Sequence, residues 1–222
     1  MMREIETAQA PSKWRKLALQ LGSGLLFGGL VGYGAGYLAG TYFKDRGLEN
    51  VPLSVEVAGL VAVIYVLCGA VVALGSLNPA VGAKLLNVED EDEVREMRTQ
   101  FIHSGAAMTL WGVALLALAL AAPVGPLAVP ISAAIGVLGL AAGSWFAWQT
   151  YRAADELMSA INLEAGALTY GLVLVMLGGW GMLAHLGYAS GPNPLDLLTA
   201  CYVLVIAATF IVVGRRGMLK LR

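Results

Sequence analysis

The chain has 222 residues, 58% of them hydrophobic and 13% charged, with a formal net charge of −1 and a mean hydropathy of +0.73. A soluble domain carries about 25% charge, so the composition argues against an ordinary water-soluble globule. The near-zero net charge supplies no basic surface for nucleic acid. The charges cluster and leave apolar windows that meet the requirement of roughly 20 residues per membrane-spanning helix.

Six windows qualify: about 17–42, 53–76, 103–122, 128–150, 166–187 and 195–214. They predict an all-α polytopic membrane protein, a single helical bundle over 1–222. Residues 1–12 are polar, and Trp14 between Lys13 and Arg15 has the character of an interfacial anchor. The first apolar run is too long for the h-region of a signal peptide. It holds a ladder of glycines four apart, Gly24, Gly28, Gly32, Gly36 and Gly40. Positions four apart advance by about 40° on a helix, so the ladder sweeps roughly 160° of its surface. Glycine costs about 1 kcal/mol against alanine inside a helix in water. Close backbone approach between helices is the usual return in lipid, where small faces become the glue. A ribbon this wide predicts two packing neighbours.

Lys44 and Arg46 follow in a short loop, and Pro52 suits the first turn of span 2. Glu56 lies one turn in. As an intramembrane acid it is a candidate transport or ion-pair residue, with Lys44 or Arg46 as partner. As a first-turn carboxylate it favours the helix N-terminus and snorkels to water. Asn78-Pro79 marks the end of span 2 and the start of another helix. From there a helical extension is expected over 79–102. It contains five consecutive acids, Glu89, Asp90, Glu91, Asp92 and Glu93, followed by Arg95 and Arg98. Acids at a helix start with bases one turn on match the macrodipole. A docking patch for a basic partner, or a cation site, is the other reading.

Spans 3 and 4 form a tight hairpin. Gly136, Gly139 and Gly143, with Ser132, give span 4 a small-residue face, the expected partner of the ladder on span 1. Trp145 and Trp148 mark the inner end of span 4. Pro194 and Asp196 read as first-turn residues of span 6, and Arg215 and Arg216 open a basic tail. The phrases LGSGLLFGG, IHSGAAMTLWG and LEAGALTYG open spans 1, 3 and 5, compatible with three hairpins of parallel topology. Lys and Arg concentrate in the two tails and in the connections after spans 2 and 4. The opposite side has only Lys44 and Arg46. Both termini are therefore expected in the cytoplasm.

The chemistry is sparse. His103 and His185 fall at opposite ends of their spans, separated by most of the roughly 30 Å hydrocarbon thickness. They cannot share one haem or metal, although either is a candidate ligand for a pigment or haem completed by another chain. Cys68 and Cys201 both sit inside spans as small apolar residues. Ser23, Tyr65, Cys68, Thr109, Thr169, Tyr170, Thr199 and Tyr202 are the polar groups at mid-membrane depth. No hydrolase, zinc, phosphate-loop or dinucleotide spacing is present. No cofactor or metal is expected.

In the last third, Asp155, Glu156, Ile161, Leu163 and Glu164 precede a hairpin that ends in Arg215 and Arg216. Residues 152–222 thereby resemble a type of uncharacterised bacterial inner-membrane protein. In that type, a cytoplasmic D-E-x-x-x-x-I-x-L-E phrase precedes a terminal helical hairpin. Where that type carries a further basic pair, this chain has Met158, Ser159 and Ala160. The resemblance implies a bacterial inner membrane and carries no activity.

Surplus small-residue surface with little buried chemistry points to a non-enzymatic protein that acts by helix packing. It would be an accessory or scaffold subunit of a membrane complex or a homo-oligomer, with the bilayer and other membrane subunits or itself as partners. A small-solute transporter or channel built around Glu56 is one alternative. A histidine-ligated pigment or haem protein is the other.

Overall fold

The computed structural model describes Thr41, residues 51–86, Val88 and residues 90–218. The chain divides into two units, and the fold below is that of the second, which begins at Asn50. Span 1 with its ladder Gly24 to Gly40, together with Lys44, Arg46 and Glu89, lies outside the described residues.

The described residues are all-helical in their regular structure. They form α1 (Leu53–Leu77), α2 (Pro79–Leu85), α3 (Glu91–Glu96), α4 (Arg98–Ala119), α5 (Val129–Ala153), α6 (Glu156–His185) and α7 (Pro194–Arg215). Five of these, α1 and α4 to α7, are long and apolar enough to cross a membrane.

Local sequence sets the boundaries. Pro52 precedes α1, and its carbonyl accepts the first-turn amides of Val55 and Glu56 at 2.9 and 3.3 Å. Asn78 stops α1 in an extended conformation and caps α2 by accepting the Val81 N–H. The extension expected over 79–102 is built from separate helices. Asp90 adopts an extended backbone and accepts the amides of Asp92 and Glu93 at 3.0 and 2.9 Å, which starts a new helix there. That helix ends at Met97, and the span helix begins at Arg98.

Helix α6 starts ten residues before the expected span. Asp155 accepts the Met158 amide at 2.7 Å, so the connection itself is helical. Its 30 residues extend about 45 Å. That exceeds the roughly 30 Å of a bilayer's hydrocarbon core by about 15 Å.

Packing is uneven. Helix α1 lies along α4, α4 along α5, and α7 touches α1 and α4. Helix α6 packs mainly on α7. A core of Ala58, Ala62, Tyr65, Leu115, Ala119 and Tyr202 joins α1, α4 and α7. A smaller one of Ile161, Ala165 and Val212 joins α6 and α7.

Candidate functional site

Where α1 crosses α4, backbone meets backbone. A Cβ on Gly105 would lie 2.6 Å from both the Gly69 carbonyl oxygen and the Ala73 amide nitrogen. On Gly69 it would lie 2.5 Å from Thr109 Oγ1. On Gly112 it would lie 2.7 Å from the Val66 nitrogen and 2.8 Å from the Ala62 oxygen. Only glycine fits at either level of this contact. The sequence reading passed over these three residues. Their signal was spacing: Gly105 and Gly112 are seven apart, facing a run of Ala58, Ala62, Gly69 and Ala73 on α1. Seven residues return to nearly the same helix face.

One turn from this crossing sits a buried polar cluster. The Tyr65 hydroxyl donates to the main-chain oxygen of Tyr202 at 2.8 Å. The Tyr202 hydroxyl donates to the main-chain oxygen of Trp111 at 2.9 Å. The tyrosine rings meet edge to face, with centroids 4.8 Å apart. Two hydroxyls thus tie α1, α4 and α7 together in the middle of their apolar lengths. Of the other hydroxyls expected at mid-membrane depth, Ser23 lies outside the described residues and the three threonines turn to their own helices. Thr109, Thr169 and Thr199 each donate at 2.8 Å to the carbonyl four residues back. Tyr170 and Cys68 are exposed.

A groove of roughly 790 Å³ opens between the start of α1, the end of α6 and the first half of α7. Leu53, Val57, Met176, Leu177 and Val203 supply apolar wall, and Asp196 and Thr199 supply polar atoms. Asp196 is engaged in the capping box of α7, accepting the Asn193 amide at 3.0 Å.

The predicted site residues are dispersed. Glu56 is exposed in the first turn of α1, in keeping with a snorkelling carboxylate. His103 lies near the start of α4 against Phe146, ring centroids 5.8 Å apart, with a buried Nδ1 that has no hydrogen-bond partner among the described residues. His185 ends α6 and is exposed. Among the described residues, no three His, Cys, Asp or Glu side chains gather as a metal site. The acidic run serves as a helix start: Asp90 caps α3, and Arg95 bonds Glu91 at 3.3 Å and Asp92 more closely.

The small face of α5 is occupied by α4. A Cβ on Gly139 would lie 2.9 Å from Ala114 Cβ, and one on Gly136 would lie 3.1 Å from Leu118. One on Gly143 would enter the Trp111 indole. Gly136, Gly139 and Gly143 thus seat span 3, because the short 120–128 turn folds α5 back on α4; the ladder of span 1, the expected partner, lies outside the described residues.

Asp155 caps α6, Ile161 fills the small core with Val212, and Glu164 accepts both Nε (3.0 Å) and Nη2 (2.7 Å) of Arg216. Leu163 is exposed.

The glycines of α6 behave differently. A Cβ on Gly166, Gly171, Gly178, Gly179 or Gly181 would meet nothing within 4 Å among the described residues. No residue in the most apolar stretch of α6 is buried, against 22–33% in the other four span helices. At about 100° per residue, Ala167, Gly171, Leu174 and Gly178 share one side. Ile161 and Ala165, which pack on α7, lie about 130° round the helix from them. No known family model matches the chain, and no curated protein or solved structure is significantly similar to it.

Proposed function

We propose that the chain is a non-enzymatic integral membrane protein that acts by helix packing. It is an accessory or scaffold subunit of a membrane complex, or a homo-oligomer, in a bacterial inner membrane with both termini cytoplasmic. The observation that carries this reading is the open glycine side of α6. Lipid contact needs no glycine, and glycine weakens a helix. Small residues in a membrane helix do their work when another backbone closes on them. The side around Gly171 and Gly178 has no such backbone among the described residues.

The test is Gly171→Leu with Gly178→Leu. Native membranes are extracted in mild detergent, and particle mass is measured by mass photometry. The wild type runs as an assembly heavier than one chain. The double variant runs as a single chain with an unchanged melting temperature. A lone wild-type monomer would overturn the reading. So would a variant whose monomer melts markedly lower, since the face would then be internal to the fold.

A second reading, a small-solute transporter, has the groove between α1, α6 and α7 in its favour. Solute flux into proteoliposomes, abolished by Val57→Trp, would favour it over the packing role.

A further inference from the structure

Helix α5 has two opposite faces. Ser132, Gly136, Gly139 and Gly143 are buried on one of them. At about 100° per residue, Ile131, Leu138, Trp145, Trp148 and Arg152 fall on the other. All five are exposed. Ile131 to Arg152 spans roughly 32 Å at 1.5 Å per residue, close to the roughly 30 Å of bilayer hydrocarbon. The face is therefore apolar for the depth of a membrane and ends in one cation at its boundary.

That cation is held in a defined way. Trp145 and Trp148 pack edge to face, centroids 5.2 Å apart. The Arg152 guanidinium carbon lies 5.1 Å from the Trp148 ring centroid. Arg95 is committed to Glu91 and Asp92, and Arg216 to Glu164. Arg152 has no carboxylate partner among the described residues. The nearby Asp155 is engaged in capping α6. A guanidinium stacked on an indole keeps its in-plane N–H donors free, and their fork matches two oxygens of a phosphate.

We propose that this end of α5 binds one anionic phospholipid. An acyl chain lies along Leu138 and Trp145, the Trp148 indole sits at the glycerol level, and Arg152 holds the headgroup phosphate. The unpaired positive charge at the site favours a headgroup with net negative charge over a zwitterionic one, whose own cation would lie against it.

The test uses the full-length chain purified in mixed micelles of phosphatidylglycerol and phosphatidylcholine in equal amounts. Retained lipid is read by native mass spectrometry. The wild type retains phosphatidylglycerol about fivefold over phosphatidylcholine, the preference one surface cation supplies. Arg152→Gln brings the ratio to parity with an unchanged melting temperature. Arg152→Lys, which keeps the charge but not the planar stack, falls between. An unchanged preference in Arg152→Gln overturns the proposal, as does a wild type with no preference. Loss of a copurifying polypeptide rather than lipid would make the surface a protein contact and overturn it too.

Discussion

The α1–α4–α5 layer puts glycine at helix crossings, whereas α6 of the α6–α7 hairpin carries its glycines in the open, as α1 does at Gly59. In the layer, each glycine at a crossing is a place where another helix has arrived: Gly69 and Gly105 touch backbone to backbone, and Gly139 rests on Ala114. In α6, five glycines face open space among the described residues. All of these helices are long and apolar enough to cross a membrane. The contrast is that the first set stabilises the fold of the chain, whereas the second adds nothing to it. A residue that costs helix stability without an internal return has its return outside the described fold.

The sharpest way to break that contrast is one substitution on each side. Gly105→Leu forces a branched side chain into the Gly69 carbonyl and the Ala73 amide, neither of which can rotate away. Overpacking against side chains costs about 1–3 kcal/mol, and against two fixed backbones the cost should reach or exceed the top of that range. The expected outcome is loss of the monodisperse protein in a detergent-solubilised expression screen. Gly178→Leu should express normally and melt at or slightly above the wild-type temperature, since it gains helix propensity. Equal losses from the two variants would end the distinction.

The tyrosine cluster tests whether the layer and α7 form one cooperative body. Tyr202→Phe removes one buried interhelical hydrogen bond while leaving the ring in place. Such bonds average about 0.6 kcal/mol and reach roughly 1.7 in membrane proteins. We expect a loss of about 1 kcal/mol in a reversible unfolding assay in mixed micelles. Tyr65→Phe should lose a similar amount, and the double variant should depart from the sum because the two rings are in contact. Asp155→Ala acts more locally. Its loss, typically about 1 kcal/mol for an N-cap, should appear as faster hydrogen exchange in the first turns of α6 with little change at α4.

Much of this was legible in the chain. Spans 2 to 6 fall where long apolar windows stand, and Asn78-Pro79 and Pro194 with Asp196 behave as helix starts. The small face of α5 was visible as Gly136, Gly139 and Gly143, but its partner was not. A glycine stripe records that something approaches closely, and carries no mark of which helix does. The start of α6 lies outside the apolar window because hydropathy sees the membrane, whereas the helix is set by the Asp155 cap eleven residues earlier. Tyr65 and Tyr202 were noticed separately as polar groups at depth. Nothing in a pair 137 residues apart announces that one hydroxyl reaches the other's backbone. Gly69, Gly105 and Gly112 carry a weak signal because Gly69 stands apart on α1 and the other two are seven residues apart, not in a dense run.

The smallest expected effect concerns Glu164 and Arg216, which fasten the two ends of the hairpin. Their side chains are 41% and 34% exposed, so the pair is partly screened by water and salt. Exposed pairs are worth about 0.2–1 kcal/mol. Glu164→Gln keeps the shape and one acceptor and removes the charge, so the expected loss is about 0.5 kcal/mol at low salt. At 1 M salt the Debye length falls to roughly 3 Å, and wild type and variant should converge. The informative readout is where the loss appears. If the hairpin is a semi-independent unit, hydrogen exchange should quicken at the ends of α6 and α7 while α1 and α4 keep their protection. A loss spread evenly through α1 and α4 would mean that the hairpin and the layer unfold together, and the contrast between them would then be one of packing alone.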